Sequence, residues 1–164
     1  SRGDFWLFVD DDAYLFGDHI EMNVQAIDDA DFADTYAWDL KTDIIDMQKA
    51  EYREEGFEFS QYFTRDHSVE RLKYENFIPI QSALFRRGLY EQHGGFDTRL
   101  DILEDWNLWL RFSQTGTFKV VPKITSAYRT PANEKKHQER RRLFDASYSE
   151  VFEINKQYWL SRTQ

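Results

Sequence analysis

The feature that most constrains this chain is the run Phe5-Trp6-Leu7-Phe8-Val9, closed by Asp10-Asp11-Asp12. Five consecutive apolar residues are too few for a buried helix and suit a central strand buried on both faces, as in parallel sheets. Gly17-Asp18 then opens a helix, with Asp18 as N-cap and Ile20, Val24 and Ile27 repeating at helical spacing. The order strand, acidic turn, helix predicts an α/β chain with carboxylates at the C-terminal mouth of its sheet, where open α/β sheets bind ligands.

The rest of the chain continues the alternation. Residues 35–47 read as β-like, with a turn at residues 41–43, and residues 49–76 read as loop or short helices. Phe77-Ile78-Pro79-Ile80 and Ser82-Ala83-Leu84-Phe85 read as extended. Arg87–His93 is predicted as a short helix closed by Gly94-Gly95, and residues 101–113 as a second helix. Residues 118–122 and 124–128 read as two short strands, and 133–158 as a charged amphipathic helix. With 164 residues and no Gly/Ser linker, repeat or low-complexity tract, one domain is expected.

Composition narrows the chemistry. There is no Cys, which removes disulfides, thiolate metal sites and cysteine nucleophiles. Acidic residues number 30 against 21 basic ones, a net charge of −9 that argues against nucleic acid or an anionic membrane as partner. No apolar run approaches the roughly 20 residues of a transmembrane helix. No signal-peptide pattern is read at the N-terminus, so the expected location is the cytoplasm. Dinucleotide, P-loop and G-x-S-x-G fingerprints are missing from the sequence.

Two acidic groups remain as candidates for chemistry. On an extended segment Asp10 and Asp12 project to one side, where two like charges call for a cation; oxygen ligands with open positions suit Mg²⁺ or Mn²⁺ held jointly with phosphates. The competing reading is a solvated turn. Glu104 and Asp105 fall in the first turn of the predicted second helix, which the helix dipole alone explains; a carboxylate desolvated by Trp106 and Trp109 would instead be a general base. His19 and His93 read as helix-surface or cap residues. His137 reads either as a solvated helix residue or as one that reaches a metal or phosphate. Glu139-Arg140-Arg141-Arg142 reads as a solvated face with partners one turn away.

Together, Phe8-Val9-Asp10-Asp11-Asp12, Phe85-Arg86-Arg87 through Gly94-Gly95-Phe96-Asp97, and Leu103-Glu104-Asp105-Trp106-Asn107-Leu108-Trp109-Leu110-Arg111 resemble the C-terminal portion of a family 2 glycosyltransferase catalytic domain. The resemblance covers residues 1–130; residues 131–164 are a C-terminal helical extension. It implies a GT-A (nucleotide-diphospho-sugar transferase) fold, a mixed sheet flanked by helices. It also implies an enzyme that transfers a hexosyl or related group, with inversion, from a nucleotide-diphospho-sugar donor to the hydroxyl of a carbohydrate or other acceptor. In that frame Asp12 and Asp10, the ends of the D-x-D motif, hold a divalent cation, Mn²⁺ or Mg²⁺, and Asp10 also lies near the donor ribose. Asp105 is the catalytic base. Glu104 and Trp106 shape the substrate site, and Arg2 lies near the nucleotide.

Two departures qualify the match. Where many members carry a further acid after D-x-D, this chain has Ala13. Members also begin with on the order of 100 residues of nucleotide-binding strands and helices, the size of a small domain. This chain starts at Ser1, just before the D-x-D strand. It is therefore expected to be part of a larger enzyme, inactive in isolation, with a strand edge open to self-association. Two other functions stay open at this point. One is a metal-dependent hydrolase. The other is a carbohydrate-binding or assembly module using Trp38, Trp106 and Trp109.

Overall fold

The computed structural model describes residues 2–46, 48–49, 51–59 and 68–160. In chain order the elements are β1 (Phe5–Leu7), β2 (Tyr14–Leu15), α1 (His19–Ala26), β3 (Phe32–Asp46), β4 (Glu51–Glu58), α2 (Val69–Leu72), β5 (Ala83–Arg86), α3 (Arg87–His93), α4 (Glu104–Phe112), β6 (Phe118–Pro131) and α5 (Glu134–Leu160). Short 3₁₀ turns at Ile27–Asp29 and Ile80–Ser82 precede β3 and β5. The strands form a mixed sheet in the order β1-β5-β3-β6-β2, with β4 also paired to β3. β3 and β6 run parallel, and the other pairings are antiparallel.

The sheet separates two apolar layers. Along β3 and β5, Phe32 and Phe85 face the large core, while Ala33 and Leu84 face a smaller cluster with Ala26 and Ile27 beneath α1. This is the two-residue period of a strand read off on both faces. The large core gathers Trp106, Leu108, Trp109 and Phe112 of α4 and Val151 of α5. Its indoles are satisfied: Trp106 Nε1 donates to the Leu72 carbonyl at 2.6 Å and Trp109 Nε1 to the Ile78 carbonyl at 3.2 Å. A buried indole N–H needs such a partner.

Several expectations change. The first strand covers only Phe5–Leu7, is half-buried, and lies at the sheet edge, antiparallel to β5. It is not a central parallel strand, because Ala83–Arg86 supplies its paired side and no described strand covers the other. No turn forms at residues 41–43: β3 runs 15 residues without reversing, and the register shift between Lys41 and Thr42 is taken up by an extra residue, Glu55, in β4. An extra residue in one strand bends it while the ladder continues. β4 was not foreseen, since its exposed, charged sequence carries no apolar alternation. The two short strands after Gly116 are one, β6, whose register shifts opposite Tyr36 absorb Pro122. Residues 60–67 of the expected loop, including His67, lie outside the described residues.

α1 turns its faces the other way. Its buried residues are His19, Asn23 and Ala26, while Ile20 and Val24 are 50% and 41% exposed. The sheet surface beneath it carries hydroxyls. His19 Nδ1 lies 2.7 Å from Thr125 Oγ1, which donates to Thr35 Oγ1 at 2.7 Å. Buried hydroxyls need hydrogen-bonding partners, and an isoleucine offers none. His19 is thus a core residue, not a surface one. Asp18 flanks α1 without a side-chain cap bond and pairs with Lys123 at 2.5 Å. Among the described residues no helix is long and apolar enough to cross a membrane.

Candidate functional site

The D-x-D turn and the start of α4 open onto one cleft of 630 Å³, which Asp10, Asp12, Glu104 and Asp105 all line. β1 delivers the first pair. The chain leaves the sheet after Leu7 and turns at Asp10, whose carbonyl accepts from the Ala13 N–H at 3.1 Å. α4 delivers the second pair. Leu103, just before the helix, has φ of 60° and keeps its side chain in the core, so Glu104 and Asp105 begin the helix at the cleft wall. A left-handed leucine costs on the order of 1–2 kcal/mol, offset here by burial of its side chain.

The carboxyl of Asp105 is the most perturbed acid at this site, pushed up to about 7. Burial is the main cause, and the charges of Glu104 and Asp10 add to it. Hydrogen bonds to Oδ1 from Asn76 Nδ2 at 2.9 Å and from the Trp106 N–H at 2.7 Å act against the rise. Asp10 is also pushed up, first by burial and then by Asp12 and Asp11, while Arg140 lowers it. Asp10 and Asp105 line the same cleft, and the charge of Asp10 adds to the rise at Asp105.

The crowding of Asp10 by Asp12 and Asp11 is the electrostatic setting that a cation relieves. Among the described residues, however, no group of three His, Asp or Glu forms a metal cage. Asp10 and Asp12 are the carboxylates that could hold a divalent cation, Mn²⁺ or Mg²⁺, with water and phosphate oxygens as its remaining ligands.

The other candidates fall elsewhere. Arg2 is exposed and does not line the cleft. Trp106 is fully buried, its ring against Tyr148 and Phe152, and it too stays out of the cleft lining. Its position makes it a packing residue beneath the site. With Trp109 equally buried, two of the three aromatics considered for sugar stacking are closed to a ligand. Trp38 is half-buried against Phe57 and Phe59. His137 does line the cleft, and its Nδ1 is buried without a partner.

The sequence reading passed over several lining residues. Asn76 and Gln81 flank the Phe77-Ile78-Pro79 segment, and Asp39 is fixed by Lys41 at 2.9 Å and by the Thr130 hydroxyl. Arg140 and Arg141 line the cleft as well, so the supposed solvated face of α5 is partly a wall of the site. Only Asn76 carried a local signal, as a polar residue just ahead of an apolar segment ending in Pro.

With this geometry in view, the fold can be compared with solved structures. The crystal structure of S. aureus TarS 1-349 superposes with a TM-score of 0.58 at 16% identity, over 79% of this chain and 36% of that one. The same TarS segment in complex with UDP-GlcNAc gives a TM-score of 0.59 at 16% identity, over 82% and 37%. The fold is that of a GT-A-like glycosyltransferase. At this identity the likeness is one of fold alone, and the chain spans little more than a third of the TarS structures. No protein-family model matches the sequence, and no curated protein sequence matches it.

Proposed function

We propose that this chain carries the acidic face of a family 2-like glycosyltransferase active site, which transfers a sugar from a nucleotide-diphospho-sugar to an acceptor hydroxyl with inversion. The supporting observation is the meeting of Asp10, Asp12, Glu104 and Asp105 at one cleft of a glycosyltransferase-like fold, with Asp105 held near neutrality.

In this reading Asp105 is the general base. A carboxyl near pH 7 is substantially ionised at neutral pH, yet basic enough to take a proton from an attacking hydroxyl. As Asp105 takes that proton, the acceptor oxygen bonds to the anomeric carbon and the bond from that carbon to the diphosphate oxygen breaks. Attack from the far side in one displacement inverts the centre. Asn76 and the Trp106 N–H orient the carboxylate by holding one of its oxygens. Glu104, beside it, shapes the sugar or acceptor pocket. A divalent cation bound by Asp12 and Asp10 would stabilise the charge that builds on the departing diphosphate.

The UDP-GlcNAc bound to TarS makes a UDP-sugar the first donor to try. In a protein that carries this chain together with a nucleotide-binding half, calorimetry should detect UDP-GlcNAc binding that requires Mn²⁺, is lost in Asp12→Ala and survives in Asp105→Asn. Equal binding in Mn²⁺ and in EDTA would sink the metal-dependent transferase reading.

A further inference from the structure

We propose that Arg129 of β6 is a positioning residue for the D-x-D turn. Stacked on Tyr14 and Tyr52 and paired with Glu54, it fixes the chain two residues beyond Asp12 and so holds Asp10 and Asp12 in the arrangement a cation needs. The inference rests on the transferase reading for the role of those two acids and adds the device that braces them.

Backbone pairing grips this turn weakly. Asp10 and Asp12 lie on the link between β1, which ends at Leu7, and β2, which begins at Tyr14. β2 is two residues long, shorter than the usual run of about three to ten, and both of its side chains are exposed. It pairs with β6, Tyr14 opposite Ala127 and Leu15 opposite Ser126, and the Phe16 N–H donates to the Thr125 carbonyl at 2.9 Å. The Tyr14 side chain strengthens that hold. Its hydroxyl donates to Glu54 at 2.8 Å and accepts from Arg129 Nη2. The same Nη2 donates to Glu54 at 3.1 Å, so three groups from β2, β4 and β6 close a triangle. The Arg129 guanidinium also lies 4.6 Å from the ring centre of Tyr14 and 4.6 Å from that of Tyr52, within the range of cation–π attraction.

Two features mark this cluster as more than surface pairing. The Arg129 side chain is only 12% exposed, and its Nε and Nη1 are buried without a partner among the described residues. A buried cation with unpaired nitrogens is a poor source of stability; its side-chain hydrogen bonds run through Nη2 to Tyr14 and Glu54 alone. β4 is the second feature. All eight of its residues are exposed, so core packing does not account for it. Tyr52 and Glu54 stand two apart on β4 and so share a face, the face that meets Arg129. The charged arm thus gains a task, since it supplies two of the groups that lock Tyr14. Groups that orient metal ligands without touching the metal set its affinity almost as strongly as the ligands do.

The test uses the full chain, with Mn²⁺ alone as probe and two NMR readouts. Amide exchange in metal-free buffer, taken relative to intrinsic rates, reports the hold on the turn. Broadening of the resonances of residues 10–13 on adding Mn²⁺ reports the affinity. In Arg129→Met, protection of the Ala13 and Phe16 amides should fall roughly tenfold, and the Mn²⁺ needed for half-broadening should rise roughly tenfold. Protection in α4 should stay at the wild-type level, which a general loss of stability would not allow. Arg129→Lys, which keeps a cation over the rings, should recover part of both. Tyr14→Phe, which keeps the ring and loses the hydroxyl, should move both readouts less and in the same direction. Arg53→Met is the control: Arg53 also lies on β4 but pairs with Asp43 and Glu55, so both readouts should match wild type. Should Arg129→Met fail to fold, Tyr14→Phe and Glu54→Gln carry the test, since both side chains are partly exposed. Unchanged turn protection or unchanged Mn²⁺ dependence in the brace variants overturns the proposal, as does an equal effect in Arg53→Met. Failure of the broader reading shows elsewhere, in wild type. If wild type shows no Mn²⁺ broadening at residues 10–13, Asp10 and Asp12 are rejected as a cation site of this chain, and the exchange data alone decide whether Arg129 holds the turn.

Discussion

Asn76 donates a 2.9 Å hydrogen bond to Oδ1 of Asp105, tying the segment before the Ile80–Ser82 turn to the first turn of α4. The bond favours the ionised carboxylate, whereas burial and the neighbouring charges of Glu104 and Asp10 favour the neutral acid. The balance near pH 7 therefore depends on this amide together with the Trp106 N–H, which bonds the same oxygen.

Removing that amide should move the balance upward. In Asn76→Ala, the Asp105 carboxyl should titrate above about 7, because the stronger of the two hydrogen bonds that oppose burial is lost. Carboxyl carbon NMR across pH 5 to 9 reads the midpoint directly. An unchanged midpoint would mean that Asn76 does not tune the acid.

Asp105 should also leave a mark on stability. Its folded pKa of about 7 lies above the ordinary value of 3.8, so between these limits the native state binds more protons than the unfolded chain. The contribution is full below the lower value and is lost as pH rises toward the upper one. Asp105→Asn keeps an oxygen to accept from Asn76 and Trp106 but cannot ionise. It should therefore match wild type near pH 4 and exceed it at pH 8 by about 4 kcal/mol in metal-free buffer. Denaturant melts at the two pH values test this; a constant difference would contradict it.

His19 should behave in the opposite sense. Burial pushes its imidazole below the ordinary 6.5, so the unfolded chain takes up the proton more readily. Its contribution is present above pH 6.5 and is lost as pH falls through the folded value. Protection of the α1 amides, taken relative to their intrinsic exchange rates, should fall below that pH in wild type. His19→Gln, which keeps a polar group for Thr125 but does not titrate, should flatten the dependence.

Arg111 and Gly94 form a structural pair behind the site. Arg111 donates to the His93 and Gly95 carbonyls, each at 2.5 Å, and so closes the end of α3, where Gly94 has φ of 77°. Arg111→Met should cost about 3 kcal/mol by orphaning those acceptors, and Gly94→Ala about 1 kcal/mol from left-handed strain. A Cβ on Gly94 would stand 3.8 Å from Arg111 Nη1, so the two changes should not add independently. Denaturant unfolding of the singles and the double measures the coupling.

What the sequence determined by itself was local. The Gly94-Gly95 stop after α3, the acids at the start of α4, the length of α5 and the turn after β1 follow from caps, breakers and periods that act within a few residues. The resemblance pointed to acids at positions 10, 12 and 105 acting together, but no local pattern could bring them to one cleft. Tertiary structure decided the rest. It put β1 at an edge, ran β3 straight through the expected turn opposite an extra residue of β4, paired β4 without an apolar signal, and turned α1 so that His19 met Thr125. These outcomes depend on which strands pair, in what register, and on what surface lies beneath a helix. Such choices are settled by hydrogen-bond satisfaction and packing between segments distant in the chain, which neither a two-residue nor a 3.6-residue period encodes.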